Sequence, residues 1–119
     1  MNSILIRTGK NFHLRKEEVK NWAEEVLKKY NLDNCQLSIA FVTSKKIRSL
    51  NRDYRKLDKA TSILSFFQGQ AAPGGIQILG DIVICLSEAK KKNLSVKFLI
   101  KHGLQNLLSE ISTGKSQGT

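Results

Sequence analysis

The chain has 119 residues, enough for one domain around one core and little more. Hydrophobic residues make up 40% and charged residues 25%, which excludes wholesale disorder, and a single proline, Pro73, excludes collagen-like or linker-type sequence. Twenty Lys and Arg against ten Asp and Glu leave a net charge of +10, so the expected partner is a polyanion, nucleic acid before any other. The longest apolar runs, such as residues 82–86, are too short to span a bilayer. The first residues lack the basic stretch and long apolar core of a signal peptide, so the expected location is the cytoplasm, with no membrane contact.

Ser3–Arg7 is a short β-type run closed by the turn signal Thr8-Gly9. Over residues 16–30 the apolar positions Val19, Trp22, Ala23, Val26, Leu27 and Tyr30 recur every three or four residues and predict an amphipathic helix. Glu17 and Glu18 open it and Lys28 and Lys29 close it, as the helix dipole favours. Trp22 and Tyr30 read as core. Residues 36–42 alternate Leu37, Ile39 and Phe41 with polar or small neighbours and predict a strand. Thr43-Ser44 supplies an N-cap for a second helix over 45–54, with Ile47, Leu50 and Tyr54 inward.

Residues 62–67 read as a strand and 68–75 as a flexible loop. Residues 76–86 form a further strand interrupted at Gly80-Asp81, where a bulge or close backbone approach is expected. Ser87 is positioned to cap a short basic helix through Lys92, and Ser95 a last helix over 96–111. That last segment is apolar nearly all round and is expected to be the buried central helix. Residues 112–119 are expected to fray. The order β-α-β-α-β-β-α-α predicts an α+β single domain, 1–119, with a mixed sheet of about four strands packed against helices.

The second helix carries the strongest chemical signal. Lys45, Arg48, Arg52, Arg55 and Lys59 fall at steps of three and four, one basic stripe if the helix extends that far. Such stripes are usually a helix's solvated face. Cations of one sign repel one another, however, and a phosphate chain relieves that repulsion, with guanidinium groups able to grip it bidentately. His13 reads as a surface loop residue. Cys35 and Cys85 have neither a metal-type spacing nor a disulfide framework, and read as packed, reduced thiols. Asp81, beside a glycine, reads as a turn residue before a general base.

Three segments in register carry a family resemblance: Leu50-Asn51-Arg52-Asp53-Tyr54-Arg55 continuing into Asp58-Lys59-Ala60-Thr61-Ser62-Ile63-Leu64-Ser65-Phe66, then Leu79-Gly80-Asp81-Ile82-Val83-Ile84, then His102-Gly103-Leu104. Together they resemble the YbeY family, single-strand-specific endoribonucleases of bacterial rRNA maturation. The resemblance implies a zincin-like fold, a catalytic role for Arg55 on the RNA backbone, and a zinc ion held by three histidines, of which His102 matches the first. It further implies single-stranded or ribosomal RNA as partner, with ribosomal proteins or the small ribosomal subunit.

The family's second and third metal positions fall on Asn106 and Ser112, and the stretch between Ile84 and His102 is about two helical turns shorter than the family's. Two histidines at i and i+4 clamp zinc from one helix face, and a catalytic zinc needs three protein ligands and an open position for water. An amide oxygen and a hydroxyl are poor substitutes. His102 alone is then expected to be a buried histidine hydrogen-bonded within an apolar helix. Cys35, Cys85 and Asp81 are the conceivable replacement ligands. Two functions follow: an impaired or inactive endoribonuclease, or a non-catalytic RNA- or ribosome-binding protein on the same scaffold.

Overall fold

The computed structural model describes residues 1–9 and 12–113, with side chains through Glu110. Four strands and four helices follow in the order β1 (Ser3–Arg7), α1 (Lys16–Lys29), β2 (Cys35–Phe41), α2 (Ser44–Arg55), β3 (Ile63–Ala72), β4 (Ile76–Ile84), α3 (Leu86–Lys91) and α4 (Val96–Thr113), with a single 3-10 turn, Pro73–Gly75, between β3 and β4. The strand order is β1-β2-β4-β3. β1, β2 and β4 run parallel, and β3 returns antiparallel along β4 as an edge strand. The fold is the expected α+β arrangement with a mixed sheet. The expected fraying of residues 112–119 concerns residues that lie mostly outside the described ones.

The period-2 pattern of the strands decides which helix covers which face. Leu37, Ile39 and Phe41 of β2, with Ile82 and Ile84 of β4, point into the main core beneath α1 and α4. Leu64 of β3 and Val83 of β4 point the other way and pack with Ile47 and Leu50 of α2, as does Cys85 just beyond β4. The helices are capped as their sequences predict at two points. Thr43 Oγ1 accepts from the Lys46 N–H at 3.2 Å, and Ser95 Oγ accepts from the Phe98 N–H at 3.1 Å. Ser87 does not cap α3, which starts at Leu86. Its hydroxyl instead meets Ser44 Oγ at 2.9 Å, tying α3 to the start of α2.

Three expectations are corrected by packing. Residues 68–72 are strand, because Gln70, Ala71 and Ala72 pair with Ile78, Gln77 and Ile76, and only Pro73–Gly75 turns. Tyr30 sits at the end of α1 and is exposed. α4 is not apolar all round: Leu99, Ile100, Leu104, Leu107 and Leu108 are buried, while Phe98, His102, Gln105 and Asn106 form an exposed stripe.

The interruption at Gly80 is real and severe. Both neighbours of β4 shift register beside Leu79 and Gly80, and Gly80 adopts a φ of +144°. A Cβ there would lie 2.1 Å from the backbone oxygen of Phe66. Gly80→Ala therefore combines a left-handed backbone with a clash that only main-chain movement relieves. We expect it to lower stability by at least ~2 kcal/mol, read as a reduced urea midpoint. A midpoint equal to the parent's would show that β3 can move aside freely.

Candidate nucleic-acid interface

α2 ends at Arg55 because Lys56 takes a left-handed conformation, φ 60°, with its N–H bonded back to Arg52 O at 3.1 Å. The basic stripe therefore does not continue along a helix to Lys59. The chain doubles back instead: the buried Asn51 donates from Nδ2 to Lys59 O at 2.9 Å. Lys59 thereby returns beside Lys45 and Arg48, around a depression of about 420 Å³ that Asp58 also lines.

The charges of this face are partly spent on one another. Arg48 Nε donates to Asp58 Oδ1 at 2.9 Å, and Arg52 Nε to Asp53 Oδ1 at 3.4 Å. Hydrogen bonding to the Arg48 guanidinium holds the Asp58 carboxyl below the usual carboxylate range and raises the guanidinium's own value. Asp58 thus stays ionised down to its lowered pKa, and the pair is lost only as pH falls through that value, below the ordinary carboxylate range. Both groups are exposed, so their pairing adds little to folding.

Arg55 stands apart from this cluster and makes no ion pair with any described residue. It lines an open cleft of about 890 Å³ whose walls come from three elements: Tyr54 and Arg55 from α2, Ile63, Ser65 and their neighbours from β3, and His102, Asn106 and Glu110 from α4. The cleft straddles the sheet edge, since α2 packs on one face and α4 on the other. Cys85 N–H donates to Ser62 O at 2.9 Å, which sets the phase of the β3–β4 ladder. In that phase Leu64 and Phe66 bond across to β4, and the backbone groups of Ile63 and Ser65 point outward into the cleft. α4 can approach this closely because Gly103 faces the strands, where a Cβ would lie 2.8 Å from Ile63 Cδ1.

His102 is exposed rather than buried, its ring lying against Phe98 with centroids 5.8 Å apart and planes 9° from parallel. The helical period brings Asn106 and then Glu110 onto the same side as His102. This donor set does not fit a zinc ion. It offers one imidazole, one neutral amide and a carboxylate two turns from the histidine, and no three His, Cys, Asp or Glu residues gather anywhere among the described residues. Ser112 lies in α4, its side chain outside the described residues.

The conceivable replacements lie elsewhere, and none lines the cleft. Asp81 faces the α2 side of the sheet, where Gln68 Nε2 donates to its Oδ2 at 2.7 Å. Cys85 is buried against Ser44 and Ser87, and Cys35 is buried at the start of β2, where desolvation pushes its thiol pKa up. His13 is exposed, as expected. Glu110 falls outside the motifs that the sequence offers, Tyr54 is exposed where the helix pattern predicts it inward, and Phe98 is exposed on a helix expected to be buried. The spacing of four from Phe98 through His102 and Asn106 to Glu110 was the available signal, a stripe that no buried helix would carry.

The model of the family described as endoribonuclease YbeY matches residues 5–109. The chain belongs to the endoribonuclease YbeY family. Relatives in that family include one from Aquifex aeolicus, 38% identical over 115 residues, spanning 90% of this chain and 75% of the relative. Another, from Persephonella marina, is 35% identical over 118 residues, spanning 91% and 77%. A solution structure of a Thermotoga maritima protein superposes with a TM-score of 0.55 over 87% of this chain and 71% of that one, at 23% identity, a likeness of fold.

Within the YbeY family, then, this chain sets Arg55 of α2 in one cleft with His102 and Asn106 of α4. Purified protein is expected to retain far less than one zinc per chain after dialysis, measured by elemental analysis. Stoichiometric zinc surviving a mild chelator would mean that donors outside this set complete the site.

Proposed function

We propose that this chain binds single-stranded ribosomal RNA in rRNA maturation, as a cytoplasmic YbeY-family protein whose hydrolytic step is impaired. The observation that carries the reading is the guanidinium of Arg55, without an ion pair among the described residues, lining an open cleft with His102 and Asn106 in a protein of net charge +10. Arg55 is suited to grip a phosphate through two parallel N–H donors, and the outward amides of β3 lie in the same cleft. Lys45, Arg48 and Arg52 extend the cationic surface along the rest of α2, and Lys59, turned back beyond its end, joins it beside Lys45 and Arg48. The small ribosomal subunit and its proteins are the natural setting for such a strand.

Cleavage is a different matter. It needs a nucleophile made at neutral pH and a proton for the leaving oxygen. His102 can hold or move one proton, and Arg55 can stabilise charge on the phosphate. Asn106 can do neither. Without a competent metal donor set, the cleft holds no group that lowers the pKa of a bound water toward neutrality. Hydrolysis of single-stranded rRNA should therefore be near background in a chelator-sensitive assay. Robust cleavage by the unaltered chain would overturn the impaired part of this reading and leave the binding part standing.

Binding has its own signature. Each phosphate contact releases condensed counterion, so log affinity should fall with log salt by about 0.7 per contact, or a slope near −2 to −3.5 for roughly three to five contacts. Replacing Arg48, Arg52 and Arg55 together with alanine should weaken binding alike across sequences and flatten that slope. Asp58→Asn should act in the opposite sense, freeing Arg48 and tightening binding about two- to fivefold. Unchanged affinity of the triple variant at every salt concentration would reduce the α2 face to solvated surface.

A further inference from the structure

We propose that Tyr54 and the Phe98–His102 pair are base-stacking platforms, one on each side of the cleft, through which it recognises unpaired nucleobases; the proposal rests on the RNA-binding reading above and adds what that reading leaves to phosphates alone. Tyr54 is 68% exposed and Phe98 51%, both large apolar rings on helices whose other apolar residues are mostly buried. Neither is needed to fill a core. Each is nonetheless held in place. Tyr54 packs edge-on to Phe66, with centroids 5.3 Å apart and planes at 68°. Phe98 lies flat against His102, which itself lines the cleft.

Their placement matches what an unpaired strand presents. A single strand offers alternating phosphates and flat, apolar base faces. Tyr54 and Arg55 both line the cleft, so a base against the tyrosine ring leaves its phosphate within the reach of the guanidinium. On the α4 side, the Phe98 and His102 rings stack on one another with near-parallel planes, so each holds the other's orientation. A base can continue the stack on an open face, with less ordering left to be done on binding. Every base has a π-face, so such platforms bind without strict sequence preference. Bases inside a duplex have both faces occupied by their neighbours and cannot use them. The charge of +10 disfavours a cationic occupant, and a peptide without flat rings would leave the plates unused.

The experiment measures affinity for a ten-nucleotide oligouridine and for an abasic ribose-phosphate chain of the same length. The proteins compared are the parent, Tyr54→Leu, Tyr54→Phe, Phe98→Leu and the Arg48/Arg52/Arg55 triple alanine variant. Leucine keeps apolar bulk and removes the flat ring. Both leucine variants are expected to lose at least about fivefold for oligouridine with an unchanged salt slope, since no phosphate contact is removed. They should match the parent on the abasic chain, and Tyr54→Phe should match it on both. Both positions are exposed, and thermal melts verify that each variant folds; should one fail, the other decides. If the leucine variants bind oligouridine like the parent while the arginine triple variant does not, the stacking proposal falls and the RNA reading stands. A parent that binds the abasic chain as tightly as oligouridine overturns stacking equally. A parent that binds neither overturns both readings.

Discussion

The architecture around the cleft depends on one close contact, the Phe66 carbonyl seated against Gly80 where no side chain stands. It lets β3 lie tight along β4 despite the register slip at Leu79 and Gly80. From that seat the alternation of β3 does the rest. Leu64 and Phe66 turn toward α2, and Ile63 and Ser65 turn toward α4. A single strand therefore joins two helices on opposite faces of the sheet, and the cleft forms where they overhang its edge. Gly103 repeats the device on a smaller scale, removing a side chain so that α4 can close on the same strand.

Much of this was legible in the sequence where one physical preference acted alone. The period of α1, the alternation of β2 and the caps at Thr43 and Ser95 each have a local cause, and each element formed as read. Gly80 was legible too, since a glycine between apolar strand residues has few other uses. Residues 68–72 were not, because a run of Gln, Gly and Ala has no strand preference of its own and extends only since β4 supplies partners. The turning back of Lys59 depends on Asn51 and a left-handed Lys56, and no spacing rule encodes either.

The site divides in the same way. Its chemistry could be read in advance, because i and i+4 on a helix are fixed neighbours and the residue at 106 is an asparagine whatever the fold. Its geometry could not, because the side of α4 that carries His102 depends on how the helix lies against β3 and β4. A histidine within an apolar segment is as consistent with a core as with a cleft. Exposed aromatics are harder still: Tyr54 and Phe98 sit at the margins of their apolar stripes, where a small rotation of the helix separates burial from solvent.

The open edge of β3 has a consequence for how copies of the protein behave toward one another. Backbone groups that face outward are a template for any extended chain, including another molecule's own strand. The edge that lines the cleft is also the edge through which two copies would pair. The protein's net charge acts as its guard, since two such edges can meet only by bringing together two molecules that each carry +10. That protection reaches no further than the ionic atmosphere allows, about 8 Å at physiological salt and ~3 Å at 1 M. Raising the salt therefore lowers the barrier between two such edges while leaving the backbone groups that would join them untouched.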